Sequence, residues 1–197
     1  MQALHQASVN GMLQAEIGHV IANKPDAAGL EYARKNKIKT SVVDHKAFNN
    51  SIEFDAQLQE TIEQHTPQLV LLAGFMRRLG ADFTRHFESR LLNIHPSLLP
   101  KYPGLNTHNQ VLQSGDHWHG CTVHFVTAEL DAGPIIARSM VATQPTDTTE
   151  TLAKRVLEKE HRLYWQAAQH CLQQSVIWRD GHVEYLGKRL VYPLTLA

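Results

Sequence analysis

LLNIHPSLLPKYPG, residues 91–104, decides how the rest of the chain is read. Leu91 and Leu92 open an apolar strand that runs through Asn93 and Ile94 to His95. Pro96 stops it, because proline has no ladder donor and keeps the preceding residue out of the helical region. Strand side chains repeat every second residue, so the Asn93 amide and the His95 imidazole share a face. Beyond them, Pro96, Pro100 and Pro103 stiffen a loop that closes at Gly104. Polar groups at the carboxyl end of a buried strand, beside a rigid loop, are where open α/β sheets place their ligands.

Working outward, residues 69–73 (LVLLA) form a continuous apolar run, suited to a parallel strand covered on both faces. Gly74 breaks it; a loop through Leu79 and a short helix over 81–87 follow. Upstream, strands are predicted over 17–22 and 40–43, and helices over 27–36 and 50–65. The second helix rests on the spacing of Ile52, Phe54, Leu58 and Ile62. Residues 1–8 read as a short helix, an odd opening for an α/β protein. Downstream, a helix over 107–113 is closed by Gly115. Residues 121–126 alternate as a strand, with 135–141 as its antiparallel neighbour. The longest helix covers 148–174, capped by Thr148 or Thr149, with Leu152, Val156, Leu163 and Ala167 inward. Asp180-Gly181 signals a hairpin between 176–179 and 183–186. This order predicts an α/β fold: a mostly parallel sheet with helices on both faces and antiparallel strands toward the C-terminus.

The chain has 197 residues, enough for one domain with a real core, so a single domain over 1–197 is expected. Lys+Arg and Asp+Glu balance at 19 each, which removes any general attraction to nucleic acid or anionic membrane. Cys121 and Cys171 fit no metal spacing, and a reduced, cytoplasmic protein is expected. No apolar run reaches membrane-spanning length, and no signal peptide precedes the first helix pattern.

Asn93, His95 and Asp131 are the residues able to carry chemistry. Asp131 lies in the Gly- and Pro-bearing turn ELDAGP. Taken singly, each has a plain structural reading, and a turn aspartate commonly just bonds its own turn. Together, an amide, an imidazole and a carboxylate can polarise a carbonyl and manage a proton. His117-Trp118-His119 with His124 suggest a metal cluster by composition, but no carboxylate or thiol falls at ligand spacing, so no metal is expected.

Three segments in order, LLAGFMR at 71–77, the 91–104 stretch and HFVTAELDAGPII at 124–136, closely resemble the folate-using phosphoribosylglycinamide formyltransferases of de novo purine synthesis. The similarity runs from Met1 to about Tyr164 and weakens in the tail. The resemblance implies a Rossmann-like formyltransferase domain, a monomer or weak homodimer. It would move a formyl group from 10-formyltetrahydrofolate to the amine of glycinamide ribonucleotide (GAR). It implies Asn93, His95 and Asp131 as the catalytic set, with Asp131 favouring the imidazolium form of His95. The folate would be lined by Met76, Arg77, Arg78 and Leu79, by Asn93, and by Thr127, Ala128, Glu129, Leu130 and Asp131. GAR would meet Leu157, Glu158, Lys159 and Glu160, with Glu160 facing the ribose hydroxyls. Leu79 and Leu130 could equally be plain core, and Glu160 a solvated helix residue. The resemblance also implies a cis Leu99–Pro100 bond.

Two departures stand out. Family members open on a buried strand and a Gly/Ser/Asn-rich phosphate-holding loop, whereas Met1-Gln2-Ala3-Leu4 aligns inside the helix that follows that loop. A sheet without that strand would leave its neighbours' edges unpaired, and weak GAR binding is expected. Ser51 stands where the family often has an arginine near the folate glutamate tail. Three other readings remain: a formyltetrahydrofolate deformylase, a tRNA-directed formyltransferase, for which the tail is short, and a folate-binding remnant without acceptor activity.

Overall fold

A computed structural model describes residues 1–196. In chain order the elements are α1 (Gln2–Val9), β1 (His19–Ala22), α2 (Ala28–Lys35), β2 (Lys39–Val42), α3 (Ser51–Glu63) and β3 (Val70–Leu72). Then come α4 (Ala81–His86), β4 (Leu91–His95), α5 (Thr107–Ser114), β5 (Trp118–Phe125), β6 (Ile135–Ala142) and α6 (Thr149–Leu172). The tail adds β7 (Val176–Arg179), β8 (His182–Tyr185), β9 (Lys188–Arg189) and β10 (Leu194–Thr195).

The main sheet runs β10-β6-β5-β4-β3. β3 and β4 are parallel, as are β6 and β10, while β4–β5 and β5–β6 are antiparallel. The α/β class is as expected, but the sheet is more mixed than the reading anticipated. Its antiparallel pairs lie at the centre: the short turn after β5 returns the chain directly to β6, and β5 itself runs back along β4 after α5. β1 and β2 form a separate parallel pair, and β7, β8 and β9 an antiparallel meander.

β3 is an edge strand, and all three of its residues are only partly buried. The run is parallel to β4 and covered on both faces, as expected: Val70 and Leu72 pack on the α3 cluster and Leu71 on the α1 and α6 side, while its other edge pairs with no strand among the described residues. β1 shares no ladder with β3, although Ile21, Val70 and Leu72 pack on one core with Phe54, Leu58 and Leu91. Ile52 is 78% exposed, against its assignment to the apolar face of α3. Two residues from Phe54 is about 200° around a helix, which turns Ile52 outward.

α6 covers the main sheet. Leu152, Val156, Leu163 and Ala167 sit in one cluster with Leu92, Val123, Phe125 and Ile136. Full burial of each such aliphatic side chain contributes about 1.5–3 kcal/mol. Thr148 is the cap: its hydroxyl accepts from Thr151 N while the Thr151 hydroxyl accepts from Thr148 N. Farther along α6, the buried Tyr164 hydroxyl lies 2.8 Å from Leu72 O and 3.0 Å from Leu92 O, tying the ends of β3 and β4 to the helix. Tyr164→Phe keeps the ring and removes the one hydroxyl proton that the two carbonyls share. Its urea midpoint should fall by the equivalent of about 1–2 kcal/mol.

Candidate active site

β4 ends at His95, and the 96–104 loop is built around it. Leu99–Pro100 is cis, as expected. Thr122 on β5 holds the loop from beneath: its hydroxyl donates to Ser97 O at 2.7 Å and accepts from Leu99 N at 3.1 Å. Arg138 on β6, paired with Thr122 across the ladder, donates to Leu99 O. The far end is tied by the Tyr102 hydroxyl, which lies 2.7 Å from Asp116 Oδ2.

The loop returns two backbone groups to the site. His95 Nε2 donates to Tyr102 O at 2.9 Å. A carbonyl only accepts, so Nε2 carries a proton and Nδ1 is the edge turned to Asp131. Gly104 N donates to Asp131 Oδ2 at 2.8 Å. Asp131 has φ +51°, a left-handed conformation that Asp tolerates better than most residues, and its side chain is 8% exposed. His95 Nδ1 stands 3.4 Å from Asp131 Oδ2. That is an ion-pair separation rather than a short hydrogen bond, which leaves this edge free to engage a third atom.

Asn93 joins through His124, which the sequence offers only as a metal-ligand candidate. His124 on β5 sits directly across the ladder from Asn93. Its Nδ1 donates to Phe125 O at 2.8 Å, so a neutral ring presents a bare Nε2. Burial lowers the His124 pKa, which favours that neutral form. Asn93 Nδ2 lies 3.3 Å from His124 Nε2 and can donate only if its NH₂ faces the ring. The amide orientation is thereby fixed, with a second N–H left over. His124 Nε2 is also 3.9 Å from Asp131 Oδ1, so the amide, both imidazoles and the carboxylate form one connected set. The Asn93–His124 register, which sequence spacing does not reveal, is the signal that finds His124.

The remaining predicted residues divide. Residues 76–79 follow β3 and residues 127–131 follow β5, the two neighbours of β4. Met76 and Leu130 are exposed at 80% and 52%, so Leu130 is not core. Leu79 is buried among Phe54, Leu58 and Phe83, so only its backbone is available. Arg77 lies over the Phe54 ring, while Arg78, Ala128 and Glu129 are exposed and Thr127 is half-buried. On α6, Leu157 and Glu160 share a face three residues apart, and burial pushes the Glu160 carboxyl up to about 7. Glu158 opens instead onto a surface concavity with Asp147, Lys154 and Arg155, and Lys159 is half-buried. Among the described residues, no hydrogen bond or ion pair links 157–160 to Asn93, His95 or Asp131. Ser51 is exposed at the start of α3.

Among the described residues no hydrogen bond or ion pair joins His119 to Asn93, His95 or Asp131, although the charge of His95 acts on it. It is 1% exposed, with Nε2 2.9 Å from His108 Nδ1. Burial pushes its imidazole down to about 4, and burial also lowers His108. The unfolded chain takes up these protons near 6.5 and the fold resists them. Stability from this pair is therefore fully present above pH 6.5 and is lost as pH falls toward 4. Urea midpoints should decline over that window, and His119→Gln should flatten the decline.

An amide, two imidazoles and a carboxylate converging beside the strand ends of an α/β sheet are a set able to polarise a carbonyl and manage a proton, the equipment of an enzyme acting on acyl groups. The family model described as formyl transferase matches residues 1–168, and the chain belongs to the formyl transferase family. It is 42% identical to a phosphoribosylglycinamide formyltransferase of Escherichia coli, over 92% of this chain and 88% of that one. A solved phosphoribosylglycinamide formyltransferase of Coxiella burnetii superposes with a TM-score of 0.92 at 40% identity, covering 96% of this chain and 90% of that one. A trifunctional purine biosynthetic protein of Gallus gallus is 43% identical over 86% of this chain, which spans 17% of that protein.

Proposed function

We propose that this chain transfers the formyl group of 10-formyltetrahydrofolate to the primary amine of GAR. The observation that carries the reading is the convergence of Asn93, His95 and Asp131, with His124 fixing the amide. The amine attacks the formyl carbon, forming a new C–N bond and placing negative charge on the formyl oxygen. The spare Asn93 N–H and a protonated His95 Nδ1 donate to that oxygen as charge develops. Asp131, directly or through a water, accepts a proton from the attacking amine. Collapse breaks the bond to the folate nitrogen, which takes up a proton as tetrahydrofolate leaves. Holding both reactants together supplies much of the remaining acceleration.

On the folate side, residues 76–79 and 127–131 supply backbone edges and apolar surface, the mix that suits a cofactor pocket. On the acceptor side, the half-buried Glu160 carboxylate suits ribose hydroxyls. The same reading makes the protein cytoplasmic. Among the described residues no helix is long and apolar enough to cross a membrane. The test is incubation with 10-formyltetrahydrofolate with and without GAR, following tetrahydrofolate release. Release that requires GAR is expected; release at equal rates without GAR, or none with it, would defeat the proposal.

A further inference from the structure

The loop after β3 is gripped by a single turn of α3, at three successive points. The Arg77 guanidinium lies 5.1 Å above the Phe54 ring. The Leu79 side chain inserts beside Phe54 and Leu58. Gly80 N donates to Asp55 Oδ2 at 2.7 Å. Phe54 and Asp55 are consecutive, so a small rotation of α3 would shift both ends of the loop together. The fit at Gly80 is close, since a Cβ there would stand 3.0 Å from Asp55 Oδ2. Asp55 is only 7% exposed, and its other oxygen has no partner. A carboxylate in that setting is costly unless its position does something.

The gripped segment also keeps its backbone clear of the rest of the fold. Among the described residues, the backbone N–H and C=O groups of 76–79 form no hydrogen bond with the rest of the chain. Backbone groups in a folded protein are ordinarily paired with protein, water or ligand. Here a solvent-facing polar edge is held from behind, at the end of the strand that pairs with the one carrying Asn93.

We infer that Asp55 is a positioning residue which, with Phe54, sets the backbone edge of 77–79 to read the pterin ring of the folate. This rests on the folate reading above. Asp55 does not touch the reacting atoms and acts through Gly80. Its loss therefore weakens one substrate and not the other, because rigid presentation spares the ligand an ordering cost.

The experiment compares Asp55→Ala, Asp55→Asn and Phe54→Leu with the parent chain. Read-outs are KM for each substrate, kcat, and calorimetric binding of 10-formyl-5,8-dideazafolate, which needs no turnover. Asp55→Ala should raise the folate KM and the analogue Kd about tenfold, with kcat and the GAR KM within about twofold. Asp55→Asn still offers an oxygen to Gly80 N and should restore most of the affinity. Phe54→Leu should raise the folate KM severalfold. If Asp55→Ala fails to fold, Phe54→Leu alone decides: an unchanged folate KM and analogue Kd overturns the inference. So does a parallel rise in both KM values, or a fall in kcat alone. A parent chain that binds the analogue but shows no GAR-dependent release removes the transferase reading and leaves the clamp standing. A parent chain that does not bind the analogue removes both.

Discussion

Asp131→Asn is expected to lower kcat by about two to four orders of magnitude while leaving the fold intact. The substitution is nearly isosteric. An amide oxygen still accepts from Gly104 N, the 2.8 Å bond that joins the turn to the 96–104 loop. What disappears is the negative charge facing His95 Nδ1 at 3.4 Å and the base for the attacking amine. Both KM values should therefore change little, because a group that acts on charge developing in the transition state contributes little to ground-state binding. Steady-state kinetics with each substrate varied, beside a urea titration, checks both halves. A variant keeping more than a tenth of the parent kcat would remove Asp131 from the mechanism.

Gly133→Ala should be among the most damaging single methyls in the molecule. A Cβ there would fall 1.8 Å from Phe125 O and 2.9 Å from Phe125 C. Both are backbone atoms in the middle of the sheet, so no side chain can rotate aside. The turn would have to lift, breaking the 2.9 Å bond from Phe125 N to Pro134 O and carrying Asp131 away from Gly104. Overpacking of this kind costs roughly 3 kcal/mol or more. The variant should show a strongly reduced urea midpoint and, in whatever fraction folds, loss of transfer activity. Gly18→Ala is the control, since nothing lies within 4 Å of a Cβ at that position and its backbone is not left-handed.

The part of the site on 91–104 was legible because it is local. A strand, a proline stop and a repeat of two place Asn93 and His95 on one face without any knowledge of neighbours. Asp131 was legible as a polar residue in a glycine-bearing turn, and the resemblance joined it to the other two. His124 was not, because its meaning comes from lying opposite Asn93 across an antiparallel ladder. The start of β5 at Trp118 was missed for a similar reason. His119 and Gly120 look like loop, yet they pair with Val141 and Met140. The two-residue strands β9 and β10 carry too little pattern to be read, and β10 is a strand only because β6 offers an edge beside it. Asp55 looked like any helix aspartate until Gly80 was placed against it.

The separation between β1 and β3 has a consequence for how the molecule comes apart. The β1–β2 pair and α2 can move off without breaking one ladder bond of the five-stranded sheet. What retains them is side-chain contact: Ile21 and Val43 on the α3 core, the His19–His65 ring stack at 3.8 Å, and the Tyr32 hydroxyl of α2 hydrogen-bonded to His5 and Gln6 of α1. Amide hydrogens of β4 and β5 should then exchange only through global opening, while those of β1 and β2 exchange earlier, through a partial opening of their own.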